Sequence, residues 1–322
     1  MPARVSICMP TYNARPDYLR RALASALAQN YDSFEIIVSE NHTSNGADAV
    51  LNEFCDPRMR VVRPPRYLGI ADNFNFCVSH AQGEYMCVLP SDDMLHPDFC
   101  AKLSAVLDRH PDAVWASCAF VEIDEQGREL KIVNEVAETS VFRPGKEELR
   151  RYVFGPVHNF VASMMRTAAY RAAGGLDPKL WRAGDWDIDL TMLRQGSVAH
   201  LPEPLCFYRN WKSQVEPERL LAMPGLTADV YEKHERAGTF SSLPPAMVRK
   251  ARKRWAIAMM YRLSAHELDS EARRAAVQDA LRLDRSFTVR LRAWLISAGL
   301  KKVVVGWRDA RMTAGRWRRL IF

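Results

Sequence analysis

The sequence has no uninterrupted apolar run of about 18 residues, so no membrane-spanning helix is expected. Near its start no basic stretch precedes an apolar one, so no secretory leader is expected and a cytoplasmic protein is. It contains no close Cys-x-x-Cys pair. The seven cysteines (Cys8, Cys55, Cys77, Cys87, Cys100, Cys118, Cys206) are scattered, several in apolar runs, which favours buried reduced thiols over disulfides or zinc. No Gly-x-Gly-x-x-Gly follows the first apolar run, so a dinucleotide fold is unsupported. No Gly-x4-Gly-Lys-Ser/Thr occurs either, which excludes a P-loop. Internal repeats and low-complexity tracts are also lacking.

What is present is a chain of 322 residues, 48% hydrophobic and 26% charged, enough to bury a large core and to form more than one unit. Its net charge of +7 is unevenly spread: residues 1–248 carry −6 and residues 249–322 carry +13. A mildly acidic body with a strongly basic tail implies two different jobs.

Over the first 120 residues apolar strands alternate with amphipathic helices. RVSICMP, FEIIVS, MRVVRP, EYMCVL and AVWASCAFVEI read as strands; PDYLRRALASALAQN, GADAVLNEFC, IADNFNFCVSHA and HPDFCAKLSAVLDRH read as helices. This order predicts βαβ units and an α/β, mostly parallel, Rossmann-like sheet flanked by helices. Such sheets bind ligands beyond the carboxyl ends of their strands. The polar clusters PTYN (10–13), SENHTSNG (39–46) and PSDD (90–93) each follow a strand, so they should share one rim. Later, VEIDEQGRELKIV predicts a hairpin about Gln126-Gly127. GKEELRRYVFG, TAAYRAAGG and GDWDIDLTMLRQG predict helices, NFVASMMR a strand and SVAHLPEPLCFYR extended chain; beyond about 217 the pattern is helical. The expected division is a catalytic domain over 1–215, in halves 1–120 and 121–215, followed by a helical region over 216–322.

Asp92 and Asp93, in VLPSDDMLHPD, put two carboxylates side by side where a buried strand ends. Capping the next helix is one role for such residues. Pro97 and Asp98 already serve that helix, and adjacent carboxylates repel unless a cation holds them. Hard divalent ions such as Mg²⁺ take one or two carboxylates plus substrate phosphates.

VSICMPTYNARPDYLRRALASALAQNYDSFEIIVSENHTSNG resembles the opening of glycosyltransferase family 2, of the GT-A fold. YLGIADNFNFCVSHAQGEYMCVLPSDDMLHPDF resembles the family's next block, ending in its acidic metal motif. GGLDPKLWRAGDWDIDLTMLRQG resembles its acceptor-side block. The resemblance spans roughly residues 4–212 and implies an inverting transferase. On it, Pro10, Thr11, Tyr12 and Asn13 would line the nucleotide site, with Tyr12 near the base. Glu40 stands where the family usually has Asp and would contact base or ribose. Gly69 and Asn73 match the adjoining loop. Asp92 would bind Mn²⁺ or Mg²⁺, and Asp93 the metal or the ribose. Ser91, with Pro90, replaces acids that many members carry. Asp185 matches the catalytic base, preceded by Gly184 where Glu is common; an N-terminal helix cap is its alternative role. Asp187, two residues along a helix, should face elsewhere. Arg209 would sit near the diphosphate, and Asn210-Trp211 replaces a histidine many members have.

The resemblance implies transfer of a sugar from a nucleotide donor, a UDP- or dTDP-sugar, to a hydroxyl of a glycan or lipid-linked glycan. A poor hydroxyl nucleophile needs a positioned carboxylate to take its proton. The rival readings are a nucleotidyltransferase, which would want a glycine- and base-rich triphosphate loop that PTYNARPD lacks, and a non-catalytic carbohydrate-binding relative. In the tail, RKARKRW and FTVRLRAWLISAGLKKVVVGWRDARMTAGRWRRLIF mix Arg and Lys with Trp294, Trp307 and Trp317. The pattern fits a basic amphipathic helix on anionic lipid at the inner membrane face best, ahead of a helix packed on its own domain or on another subunit and, last, a nucleic-acid surface.

Overall fold

The structure, a computed structural model, describes residues 3–134, 136–210, 217–266, 268–300 and 304. The chain divides into two compact units, one of residues 1–148 and 156–212, the other of residues 149–155 and 213–322.

The first unit begins with β1 (Val5–Thr11), α1 (Pro16–Leu27), β2 (Phe34–Glu40), α2 (Asp48–Leu51), β3 (Met59–Val62), α3 (Ile70–Ser79) and β4 (Tyr85–Val88). β5 (Met94–Leu95), α4 (Phe99–Arg109), β6 (Ala113–Ile123), β7 (Glu129–Val133), β8 (Val141–Arg143) and the first half of α5 (Gly145–Tyr152) follow, the rest of α5 belonging to the second unit. β9 (Ser163–Arg166), α6 (Thr167–Ala172), α7 (Gly184–Met192) and β10 (Ser197–Arg209) complete it. The ten strands among the described residues form one sheet, in the order β3-β2-β1-β4-β9-β6-β10-β5, with β7 beside β6 and β8 beside β10.

β1 and β2 are buried along their whole length, as strands covered on both faces must be. One helix-facing core joins Ile7, Met9, Ile36 and Val38 to Leu19, Leu23, Phe99 and Leu103. The parallel arrangement holds for β3, β2, β1 and β4. Across the second half the sheet is mixed: β9 runs antiparallel to both β4 and β6, while β10 runs parallel to β6. Six of the seven free cysteines are buried and Cys55 is exposed.

The predicted helix over GADAVLNEFC shrinks to the four residues of α2. Gly46 at φ +78° starts it late, and it ends at Leu51 with Asn52 as its C-cap. The hairpin turns where expected, with Gly127 at φ +86°. β5 and β8, of two and three residues, are too short to show a period and were not anticipated.

The second unit is helical. α8 (Pro217–Arg236), α9 (Pro245–Ala265), α10 (Ser270–Leu283) and α11 (Phe287–Ser297) form a bundle in which α9 packs against the other three. Asp269 caps α10, its Oδ1 accepting from Glu271 N at 2.8 Å and Ala272 N at 2.9 Å. No helix among the described residues is long and apolar enough to cross a membrane. Trp307 and Trp317 lie outside the described residues.

Candidate active site

The carboxyl ends of β1, β2 and β4 and the loops after them are stitched together by short side chains. Asn41 N donates to Thr11 O at 3.1 Å, Thr11 Oγ1 to Ser39 O at 3.1 Å, and Ser39 Oγ to Asn73 Oδ1 at 2.6 Å. Asn13, at φ +45°, accepts from Ser44 N at 2.8 Å. Asn41 exchanges two hydrogen bonds with the backbone of Leu68, each 2.9 Å. Leu89 N donates to Cys8 O at 2.8 Å, which sets the turn at Pro90–Asp93 beside β1.

The residues expected at this rim fall into two layers. Tyr12, Asn13 and Gly69 are exposed, Ser91 and Asp92 are half-buried, and Asp185 is exposed. Pro10, Thr11, Glu40, Asn73, Asp93 and Arg209 are buried beneath them. Asn73 is thereby a brace between strand ends. Glu40 is fully engaged: Oε1 accepts from Thr43 N at 2.6 Å and Oε2 lies 3.0 Å from Arg63 Nε.

The acidic turn is clamped from behind. Asp93 turns inward and its Oδ1 accepts from Arg209 N at 2.7 Å. Burial and then the neighbouring Asp92 charge push the Asp93 carboxyl well above its ordinary acidity range, with Arg209 offsetting part. Arg209 is 1% exposed. Its Nε donates to Asp92 O at 2.9 Å, and Nη1 to Asp124 O at 2.7 Å and Glu125 O at 3.1 Å. The guanidinium also lies 4.1 Å from the Tyr18 ring, whose hydroxyl donates to Glu125 O at 2.9 Å. Arg209 therefore sits as a clamp between the β6–β7 hairpin and the acidic turn, not as an open cation.

Asp185 lies in the first turn of α7, with Oδ1 accepting from Trp186 N at 2.8 Å. Asp187 and Asp189 on the same helix are buried, so Asp187 faces away as expected. The loop leading to α7 is anchored to α3: Asn75 Nδ2 donates to Leu176 O at 2.8 Å, and Asn75 Oδ1 accepts from Leu176 N at 2.9 Å. The helix that follows Gly69 and carries Asn73 thus also positions the approach to Asp185.

Sequence reasoning passed over four contributors. Tyr67, 54% exposed, pairs with Tyr12 at 4.8 Å between ring centroids. Arg63 holds Glu40, Asn75 holds the α7 approach, and Tyr18 underlies Arg209. The stretch RPPRYLG carried a signal for the first two: it is basic and aromatic, and it follows a strand that ends at the same rim.

A sequence model described as glycosyl transferase family 2 matches residues 6–171, just over half of the chain. The chain belongs to glycosyl transferase family 2. Among curated relatives, the putative glycosyltransferase EpsE of Bacillus subtilis is 25% identical over 60% of this chain and 68% of its own. An uncharacterized glycosyltransferase of Methanocaldococcus jannaschii, MJ1057, is 29% identical over 57% of this chain and 62% of its own. The chain spans less than two thirds of the length of that archaeal relative and only 37% of Protein CgeD of Bacillus subtilis, another match. The crystal structure of S. aureus TarS 1–349 in complex with UDP superposes with a TM-score of 0.68 at 16% identity, covering 96% of this chain and 92% of TarS. That likeness shows the GT-A fold.

Members of this family commonly use a divalent cation, and the acidic turn fits one. It offers Asp92 near solvent and a second carboxylate crowded against it, an arrangement that a positive charge relieves. No cluster of three or more metal-ligating side chains occurs among the described residues. An ion here would therefore take its remaining oxygens from phosphate and water, which suits Mg²⁺ or Mn²⁺.

Proposed function

We propose that the protein is an inverting glycosyltransferase that moves a sugar from a nucleoside diphosphate sugar to a hydroxyl of a glycan or lipid-linked glycan. The observation that carries this is the two-layered rim, where half-buried Asp92 adjoins a buried Asp93–Arg209 clamp. Asp185 stands exposed on a helix tied to the same rim. Family membership supports the donor class.

In this reading Tyr12 and Tyr67 flank the base, and Asp92 would hold a divalent cation that offsets the charge of the diphosphate. When bound, Mg²⁺ or Mn²⁺ would compensate the charge that grows on the departing diphosphate. Asp185 Oδ takes the proton of the acceptor hydroxyl as that oxygen attacks the anomeric carbon. One base and one leaving group suit a single displacement with inversion. No carboxylate nucleophile is needed. Asp93 and Arg209 hold the turn in place without touching the donor.

The test is donor binding and transfer with a panel of UDP-, dTDP- and GDP-sugars, with and without Mn²⁺. Asp92→Ala should abolish the metal-dependent part of donor binding. Asp185→Asn should keep donor binding and lower transfer by at least about a hundredfold. Absence of any nucleotide-sugar binding by the folded wild-type protein would sink the proposal.

A further inference from the structure

We propose that the outer face of α11, formed by Phe287, Arg290 and Trp294 and continued by Leu300, is a docking surface for an anionic lipid bilayer. The helix FTVRLRAWLIS is apolar on two sides. Val289, Ala293 and Ile296 are buried where α11 meets α9 and α10. Phe287 is 80% exposed and Trp294, seven residues on, is 60% exposed. Seven residues are two helical turns, so both rings stand on one outward stripe, with exposed Arg290 between them. After the helix ends, Leu300 is 47% exposed. A helix lying on a protein surface normally shows a polar outer stripe. This one shows aromatic rings and a cation, the mixture that settles at the boundary between headgroups and acyl chains.

Charge selects the partner. From Arg285 to Phe322 the only acidic side chain is Asp309, against eight arginines and two lysines. Arg285 and Arg290 are exposed and engage no carboxylate among the described residues, whereas elsewhere in the bundle Arg252 meets Glu235 at 2.6 Å and Arg282 meets Asp229 at 2.6 Å. Unpaired cations beside unpaired apolar side chains match a surface that is polyanionic outside and apolar within. A polynucleotide would match the cations but leave Leu300 without a purpose. The inference deepens the lipid-linked acceptor reading by naming the surface that would bring the enzyme to such an acceptor. It rests on that reading only for its purpose, because vesicle binding is measured without any transfer.

The experiment is flotation of the full chain with phosphatidylcholine vesicles, with and without phosphatidylglycerol. Binding should require the anionic lipid and weaken as salt rises. Arg290→Glu should lower vesicle affinity by at least about fivefold. Phe287→Ser combined with Trp294→Ser should lower it further, with circular dichroism and thermal unfolding unchanged. Asp185→Asn should float like the wild type, so that failure of the transfer reading and failure of this one are told apart. Equal binding to neutral vesicles, or wild-type binding by both surface variants, overturns the proposal. So does a dimer that the surface variants convert to monomer, since a second copy would then cover the face. Displacement of the chain from vesicles by a short oligonucleotide would overturn it in favour of nucleic acid.

Discussion

Arg209 carries a permanent charge with almost no contact with water, a state that survives only where the surroundings are arranged around it. Three backbone carbonyls and the face of Tyr18 receive the guanidinium, and the Asp93 carboxylate lies at its amide. Nη2 is buried without a hydrogen-bond partner, so the arrangement leaves one donor uncompensated. Removing the side chain would take a donor from the carbonyls of Asp92, Asp124 and Glu125 and loosen the acidic turn. Arg209→Met is expected to lower stability by about 3–5 kcal/mol in urea unfolding and to weaken donor binding with it. Arg209→Lys should recover only part of both, because a point charge cannot serve a forked set of acceptors. A loss of donor affinity at unchanged stability would instead mean that the guanidinium reaches the donor. The burial of Arg209 was hidden in the sequence because its acceptors come from turns more than eighty residues away. Asp187 was legible, because helical spacing alone turns it away from Asp185. Glu40 was half legible: its position after a strand was evident, its capture by Arg63 and Thr43 was not.

At the scale of elements, α3 joins two parts of the candidate site. Its first turn lies at the rim, and its middle holds the loop before α7 through Asn75, whose amide mimics a strand neighbour for Leu176. Gly175 makes this possible: at φ +73°, a Cβ on it would lie 2.4 Å from Asn75 Oδ1. Asn75→Ala leaves Leu176 N and O without these partners, and Gly175→Ala drives the loop off the helix. Each should shift Asp185 by a fraction of its length while leaving Tyr12, Asp92 and the clamp in place. Transfer should fall by roughly tenfold to a hundredfold while donor affinity stays within about twofold, as expected when only the approach of two groups is disturbed. Parallel measurement of kcat and donor Kd checks this; equal losses in both would show that α3 itself had moved. The longest strands were plain in the sequence: β6 and β10 span the same residues as AVWASCAFVEI and SVAHLPEPLCFYR. Continuous apolar or extended runs of that length leave little choice. The antiparallel insertion of β9 was not legible, because pairing direction depends on where a chain returns and not on the period of its side chains.

For the whole molecule, the buried pair His158 and Asp189 is expected to contribute two pH dependences of opposite sign. Their nearest atoms, Nδ1 and Oδ2, are 3.6 Å apart, His158 stacks on Trp115, and Asp189 lies one turn from Asp185. Burial, then nearby His200, pushes His158 from its ordinary 6.5 down to about 3. Burial, then the charge of Asp185, pushes Asp189 well above its ordinary 3.8. Both groups are therefore driven toward their neutral forms. A folded chain that binds a His proton more weakly than the unfolded chain loses stability as pH falls below 6.5, and the loss continues to about 3. One that binds an Asp proton more strongly loses stability as pH rises above 3.8, up to the raised folded value. Between 3.8 and 6.5 the two slopes oppose, each up to about 1.4 kcal/mol per pH unit. Asp189→Asn should therefore gain stability relative to wild type as pH goes from 4 to 8, and His158→Gln should gain it in the other direction. Thermal unfolding of both variants at those two pH values reads the crossing directly. Offsets that do not change with pH would mean that folding leaves the proton affinity of both groups unchanged, and trends of the opposite sign would mean that the two are held as an ion pair.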